Sequence, residues 1–100
     1  MNKKRFIDYH ERLMQRLQNP ELAIAYLNEA IADEDQRVFL LALKDVIEAQ
    51  GGDITSLAEQ ARLNRPTIYR MLSQKGNPRW KSLTSLFDVM GLQMHFSFKR

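Results

Sequence analysis

One hundred residues allow one domain with a real core and leave no room for a second. The absence of cysteine excludes disulfides and thiolate metal sites and suits a reducing compartment. A net charge of +3 hides an asymmetry: residues 1–50 hold seven Lys/Arg against nine Asp/Glu, residues 51–100 eight against three.

The chain opens "MNKKRFIDYHERL", basic but with no apolar stretch behind it, so no signal peptide is expected. No apolar run approaches the roughly 18 residues of a membrane span, and a cytoplasmic, nucleoid-associated protein is the expectation. Residues 3–18 read as a first helix with Phe6, Tyr9, Leu13 and Leu17 near one face. Asn19-Pro20 is a helix start, because the Asn side chain can cap free amides and proline is tolerated in the first turn. A second helix to about Ala32 would turn Leu22, Ala23, Tyr26, Leu27, Ala30 and Ile31 inward. "DEDQ" at 33–36 supplies a cap and first-turn acids for a third helix. That helix, "QRVFLLALKDVIEAQ", is apolar nearly all round before Lys44 and should be the most buried, ended by Gly51-Gly52.

Asp53 can cap a short fourth helix of about 54–61, and Asn64 a fifth of about 65–74. "GNP" at 76–78 breaks the chain, and Pro78 opens a sixth helix to Met90, closed by Gly91. Leu92, Met94, Phe96 and Phe98 then alternate with polar residues, the period of a strand. A lone strand needs a partner for its backbone, and the economical one is the same segment of a second copy across a two-fold axis; the alternatives are a tail packed loosely on the core or pairing with a different protein. The fold expected is all-α, a single domain over 1–100. Its parts are an N-terminal helix (1–18), a helical bundle (19–90) and a C-terminal dimer strand (91–100).

The stretch "TSLAEQARLNRPTIYRML" carries the functional argument. Leu57 and Ala61 face inward on the fourth helix, Ala58 is small where a following helix would cross, and Leu63 can plug the turn. Ile68, Met71 and Leu72 stand at i, i+3 and i+4 on the fifth helix and bury together. Together these residues form a helix-turn-helix pattern, whose second helix enters a major groove of double-stranded DNA. Between Arg62 and Lys81 lie six basic residues and no acid. A solvated basic face is the plain alternative. The outward side of the fifth helix gives Arg65, Pro66, Thr67, Tyr69 and Arg70 as base readers: arginine can fork onto guanine, and Pro66, Thr67 or Tyr69 can meet a thymine methyl. Arg62, Asn64, Ser73, Gln74, Lys75, Asn77, Arg79 and Lys81 suit the DNA backbone. Helix-turn-helix turns usually open with glycine, and here the residue is Arg62, at a cost of roughly 1 kcal/mol or more for a positive φ.

"YLNEAIADEDQRVFLLALKDVIEAQGG", "LAEQARLNRPTIYRMLSQKGNP" and "FDVMGLQM" resemble the addiction-module antidote proteins of bacteria. These are antitoxins with a lambda-repressor-like (Cro-type) DNA-binding domain. The likeness runs from about Asn19 to Met94. It implies a homodimer that represses its own operon and neutralises a small basic RelE-like toxin encoded beside it. It also implies that Asn64, Arg65, Thr67, Tyr69, Arg70 and Ser73 occupy the recognition helix, with Asn77 following. The first 18 residues are less typical of the family.

No enzyme, cofactor or metal site is expected. His10 lacks a second histidine four residues on, His95 alternates outward on the strand, and Asp33, Glu34 and Asp35 suit capping better than acid–base work. Met71, Met90 and Met94 fall in apolar phase as core filler, and packing is the simpler role for Trp80. The alternatives are a stand-alone helix-turn-helix regulator without a toxin, or a helical protein-interaction module that does not bind DNA.

Overall fold

The structure, a computed structural model, describes residues 3–73 and 75–100. Within them lie six helices, α1 (Lys3–Leu17), α2 (Pro20–Ile31), α3 (Gln36–Ala49), α4 (Ile54–Ala61), α5 (Arg65–Met71) and α6 (Trp80–Met90). Most starts are written in side chains. Asn19 Oδ1 accepts from Glu21 and Leu22 N–H, Asp35 from Arg37 N–H at 2.9 Å, and Asp53 from Thr55 N–H at 3.0 Å. Each satisfies an amide that the helix itself leaves without a partner.

Leu17, Leu40, Leu43, Ile68 and Leu86, drawn from α1, α3, α5 and α6, are the largest fully buried side chains. α3 packs on α1 and α2, α4 on α5 and α6. Phe39 and Phe87 meet edge to face with centroids 6.1 Å apart, tying α3 to α6. The Gln50 side-chain amide donates to the Leu17 carbonyl, fastening the end of α3 to the end of α1.

The structure corrects several expectations. Phe6 and Tyr9 on α1, and Leu22 and Ile31 on α2, are exposed rather than inward. α3 is not covered all round: Leu40, Ala42, Leu43, Val46, Ile47 and Ala49 are buried, but Leu41 is 56% exposed and Val38 is exposed as well. α3 still buries more residues than any other helix among those described, and Val38 and Leu41 form the apolar strip its neighbours leave uncovered. α5 ends at Met71: Leu72 leaves helical conformation at φ −95° and ψ 5°, and the Ser73 N–H reaches back only three residues, to the Arg70 carbonyl at 3.3 Å. α6 starts at Trp80, not Pro78, with Arg79 in extended conformation before it and no side-chain cap. Trp80 is 63% exposed and Met94 is exposed, so neither is core.

The expected C-terminal strand is not seen. Leu92 packs against the core, its N–H donating to the Phe87 carbonyl at 2.8 Å. From there the segment runs on without turn, bend or ladder, and Phe96 and Phe98 are 90% and 100% exposed. A strand exists only through its pairing, and no other segment of the described chain offers an edge to pair with.

One polar pair crosses the otherwise apolar α2–α3 contact. Tyr26 Oη donates to Asp45 Oδ2 at 2.8 Å. Burial, then the hydrogen bond to Asp45, push the Tyr26 hydroxyl well above its usual range. Burial also raises the Asp45 carboxyl, and the Tyr26 hydroxyl offsets part of that rise. A carboxyl raised on folding binds its proton more tightly in the folded chain, so stability declines as pH rises from the unfolded value through the folded one. Tyr26→Phe removes the donor and lifts Asp45 further. The expected loss is about 1–3 kcal/mol at pH 7 by urea unfolding, shrinking as the pH falls through the raised Asp45 value. A loss that does not vary with pH rejects this account. A second test concerns the one non-glycine residue with positive φ among those described, Arg62 at 58°. Arg62→Gly is expected to stabilise the chain by about 1 kcal/mol, and an unchanged or lowered urea midpoint would mean that the turn holds no such strain.

Candidate nucleic-acid interface

The interface is organised by what happens after Ala61. Arg62 takes the left-handed conformation, φ 58° and ψ 40°, and ends α4. Leu63 N–H then donates back to the Ala58 carbonyl at 2.8 Å, the closure of a Schellman turn. Leu63 packs against the core and plugs the bend. Asn64 starts α5 at once: its Oδ1 accepts from the Thr67 N–H at 2.8 Å and from the Thr67 hydroxyl at 2.7 Å. Pro66 fits the first turn, where no amide is needed. The sequence therefore turns the chain in three residues and relaunches it as a helix.

α5 is held from beneath. Ile68, Met71 and Leu72 are buried, as are Ala58 and Ala61 of α4, and Leu57 packs against the same core. With Leu63, these side chains are all buried or packed against the core. The opposite side of α5 presents Arg65, Pro66, Tyr69 and Arg70 to solvent, with Thr67 half-buried. The Arg65 guanidinium lies 6.0 Å from the Tyr69 ring centroid, an i, i+4 cation–π contact that holds both side chains outward. Arg70 Nη2 donates to Thr67 Oγ1 at 3.3 Å, continuing the line from Asn64 through Thr67 to Arg70. The hydroxyl of Ser73 donates to the Arg70 carbonyl at 2.9 Å and steadies the end of the helix.

Beside α5 runs an open groove of about 730 Å³. Thr67, Arg70, Ser73, Lys75, Asn77 and Arg79 line it, with three cations and no acid among its lining. Gly76 lets the loop lie close against the end of α5: a Cβ there would fall 2.7 Å from the Arg70 carbonyl oxygen and 2.9 Å from that of Ser73. The Gln36 side chain, at the start of α3, donates to the Gly76 carbonyl at 3.4 Å and ties the loop to the body.

The expected residues thus fall into two sets. Thr67, Arg70, Ser73, Lys75, Asn77 and Arg79 converge on the groove, whereas Arg62, Asn64, Arg65, Pro66, Tyr69 and Lys81 are exposed but do not line it. Asn64 spends its side-chain oxygen on the helix cap. Gln74 lies outside the described residues. Sequence reasoning missed Ser82, in the first turn of α6 on the groove wall, and Gln36, which braces the loop. Neither is charged, so a search for basic clusters passes over both; only the spacing of Ser82 after Arg79 hints at it.

Two comparisons place the chain among known proteins. A protein-family profile described as "Probable addiction module antidote protein" matches residues 9–98. A Haemophilus influenzae protein described only as "Uncharacterized protein" is 27% identical over 86 residues, covering 86% of this chain and 87% of that one. No solved structure matches significantly. With nine-tenths of its length matched by that profile, the chain belongs to the family of addiction module antidote proteins.

Proposed function

We propose that the protein is a DNA-binding antitoxin: a lambda-repressor-like, helix-turn-helix repressor that silences its own operon as a homodimer and neutralises a RelE-like toxin by stoichiometric binding in the cytoplasm. Family membership gives the antidote role, and with it a toxin partner. The DNA half of the proposal rests on one observation above the others. The left-handed turn at Arg62 sets α5 with Ile68 wholly buried and with Arg65, Tyr69 and Arg70 outward, alongside a groove whose charged lining is all cationic.

That arrangement supports a division of labour. Arg65 and Arg70 carry five-donor forks matched to the guanine edge, while Lys75 and Arg79 flank the helix at positions where phosphates would pass. Nothing in this reading requires a catalytic group. A dimer would bring two such helices onto half-sites about one helical turn apart. The exposed Phe96 and Phe98, together with Met94, form an apolar run that a second copy would cover.

Gel-shift titration on the operon's own promoter and on random duplex tests the reading. Arg70→Ala is expected to weaken specific binding by about 1–3 kcal/mol and to relax base choice at one position. Lys75→Ala is expected to weaken both duplexes alike and to lower the salt slope by about 1. Equal losses on the two duplexes for Arg70→Ala reject it as a base reader, and no binding to either duplex rejects the repressor role. Deleting residues 96–100 is expected to convert dimers to monomers in sedimentation; an intact dimer places the contact elsewhere.

A further inference from the structure

α1, α2 and α3 enclose a second open groove, of about 520 Å³, on which the DNA reading makes no demand. Its apolar surface comes from Tyr9 and Leu22 at the α1–α2 side and from Val38 and Leu41 on α3, all four exposed. Leu41 is the residue that α3 leaves uncovered in mid-helix. Glu29 and Asp33 stand on the α2 side, and Arg16 is the cation on the α1 wall. The acidity reaches beyond the lining: from Asn19 to Gln36 the sequence holds Glu21, Glu29, Asp33, Glu34 and Asp35 and no lysine or arginine. Asp35 is partly neutralised, since Arg37 Nη2 lies 2.7 Å from its carboxylate.

The chemistry of this groove narrows its occupant. A small-molecule pocket carries buried, convergent polar groups, and among the described residues no polar or charged side chain is buried. Tyr26 reaches the wall, but its hydroxyl is already committed to Asp45. What remains is an apolar floor with an aromatic edge, with Glu29 and Asp33 on one rim and Arg16 on the other, the make-up of a protein-docking surface. With two carboxylates against one guanidinium, the lining offers a polyanion no cationic cluster such as the one beside α5.

We infer that this groove is where the toxin docks, taking a cationic amphipathic segment whose apolar side chains sit on Leu22, Val38 and Leu41 while its basic ones meet Glu29 and Asp33. The inference rests on the antitoxin reading and assigns it a surface. No residue lines both this groove and the basic one beside α5. Toxin and DNA therefore engage separate faces of one chain.

The test measures binding of the full chain to the protein encoded by the adjacent reading frame, with promoter binding and sedimentation as controls. Leu41→Ser, on an exposed side chain, is expected to weaken toxin binding about tenfold or more, chiefly through faster dissociation. Glu29→Gln with Asp33→Asn is expected to slow association several-fold at low salt and to flatten its salt dependence. Promoter affinity, melting temperature and oligomeric state stay as in the parent. Toxin binding unchanged in both variants overturns the groove assignment and leaves the antitoxin reading standing. A loss confined to the charge variant also overturns it, because that pattern is steering without docking. If either variant instead breaks the dimer, the face belongs to a second copy. A parent chain that does not bind the adjacent product removes the antitoxin reading itself, and the groove assignment with it.

Discussion

One backbone residue governs the functional half of this molecule. Arg62 adopts φ 58°, and because it does, α4 stops, Leu63 turns inward and Asn64 is in position to cap a new helix. A residue with a side chain holds that conformation against a steric cost, and the surrounding contacts repay it. Leu63 N–H closes on Ala58, and Ile68, with no exposed surface, clamps α5 to the body. If α4 continued through this point in helical conformation, Leu63 would leave the core and the basic side chains of α5 would scatter around a longer rod. The orientation of Arg65 and Arg70 is thus a consequence of packing beneath them, not of anything they do themselves.

Two faces of opposite character share one core. α5 and the loop before α6 carry Arg65, Arg70, Lys75 and Arg79 with no acid among them, and α2 with the turn before α3 carries Glu21, Glu29, Asp33, Glu34 and Asp35 with no cation, while α1 is itself rich in lysine and arginine. α3 connects them: its start reaches Gly76 through Gln36, its length packs on α1 and α2, and Phe39 meets Phe87 of α6. Stretches of opposite charge direct ligands of opposite charge to different surfaces, each attracting its own from a distance.

The local rules were readable in the chain. Asn19, Asp35, Asp53 and Asn64 each cap the helix they announce, and the triplet Ile68, Met71 and Leu72 buries as its spacing dictates. Fold-level coverage was not. Periodicity shows that Leu22, Ile31 and Leu41 lie on apolar faces, but it cannot say whether this chain or another one covers them. The strand pattern at 92–98 has the same weakness, since alternation marks a segment fit to pair and says nothing about what it pairs with. Trp80 failed for a related reason: at the first position of α6 its ring extends past the end of the core instead of into it. In the candidate interface the charged residues stand out because charge runs are visible in sequence. Ser82 and Gln36 were not, because an uncharged polar residue acquires its role only from tertiary neighbours.

The separation of the two faces constrains how one ligand can influence the other. A ligand that binds the folded chain raises its apparent stability, but this alone does not change affinity at a second site that is already fully formed. Coupling requires two arrangements that the ligands distinguish, and a ligand with equal affinity for both shifts nothing. Within a single chain there is little room for such a pair of states: α5 has seven residues, is capped at its start by Asn64 and rests on a wholly buried Ile68. In the dimer proposed above, the element with freedom to differ is the spacing between the two copies, because half-site recognition would depend on that distance and the C-terminal apolar residues are uncovered in the single chain. On the present reading, any influence of the toxin on repression therefore passes through the dimer contact or through bulk placed near the DNA, and not through a change in the shape of the recognition helix.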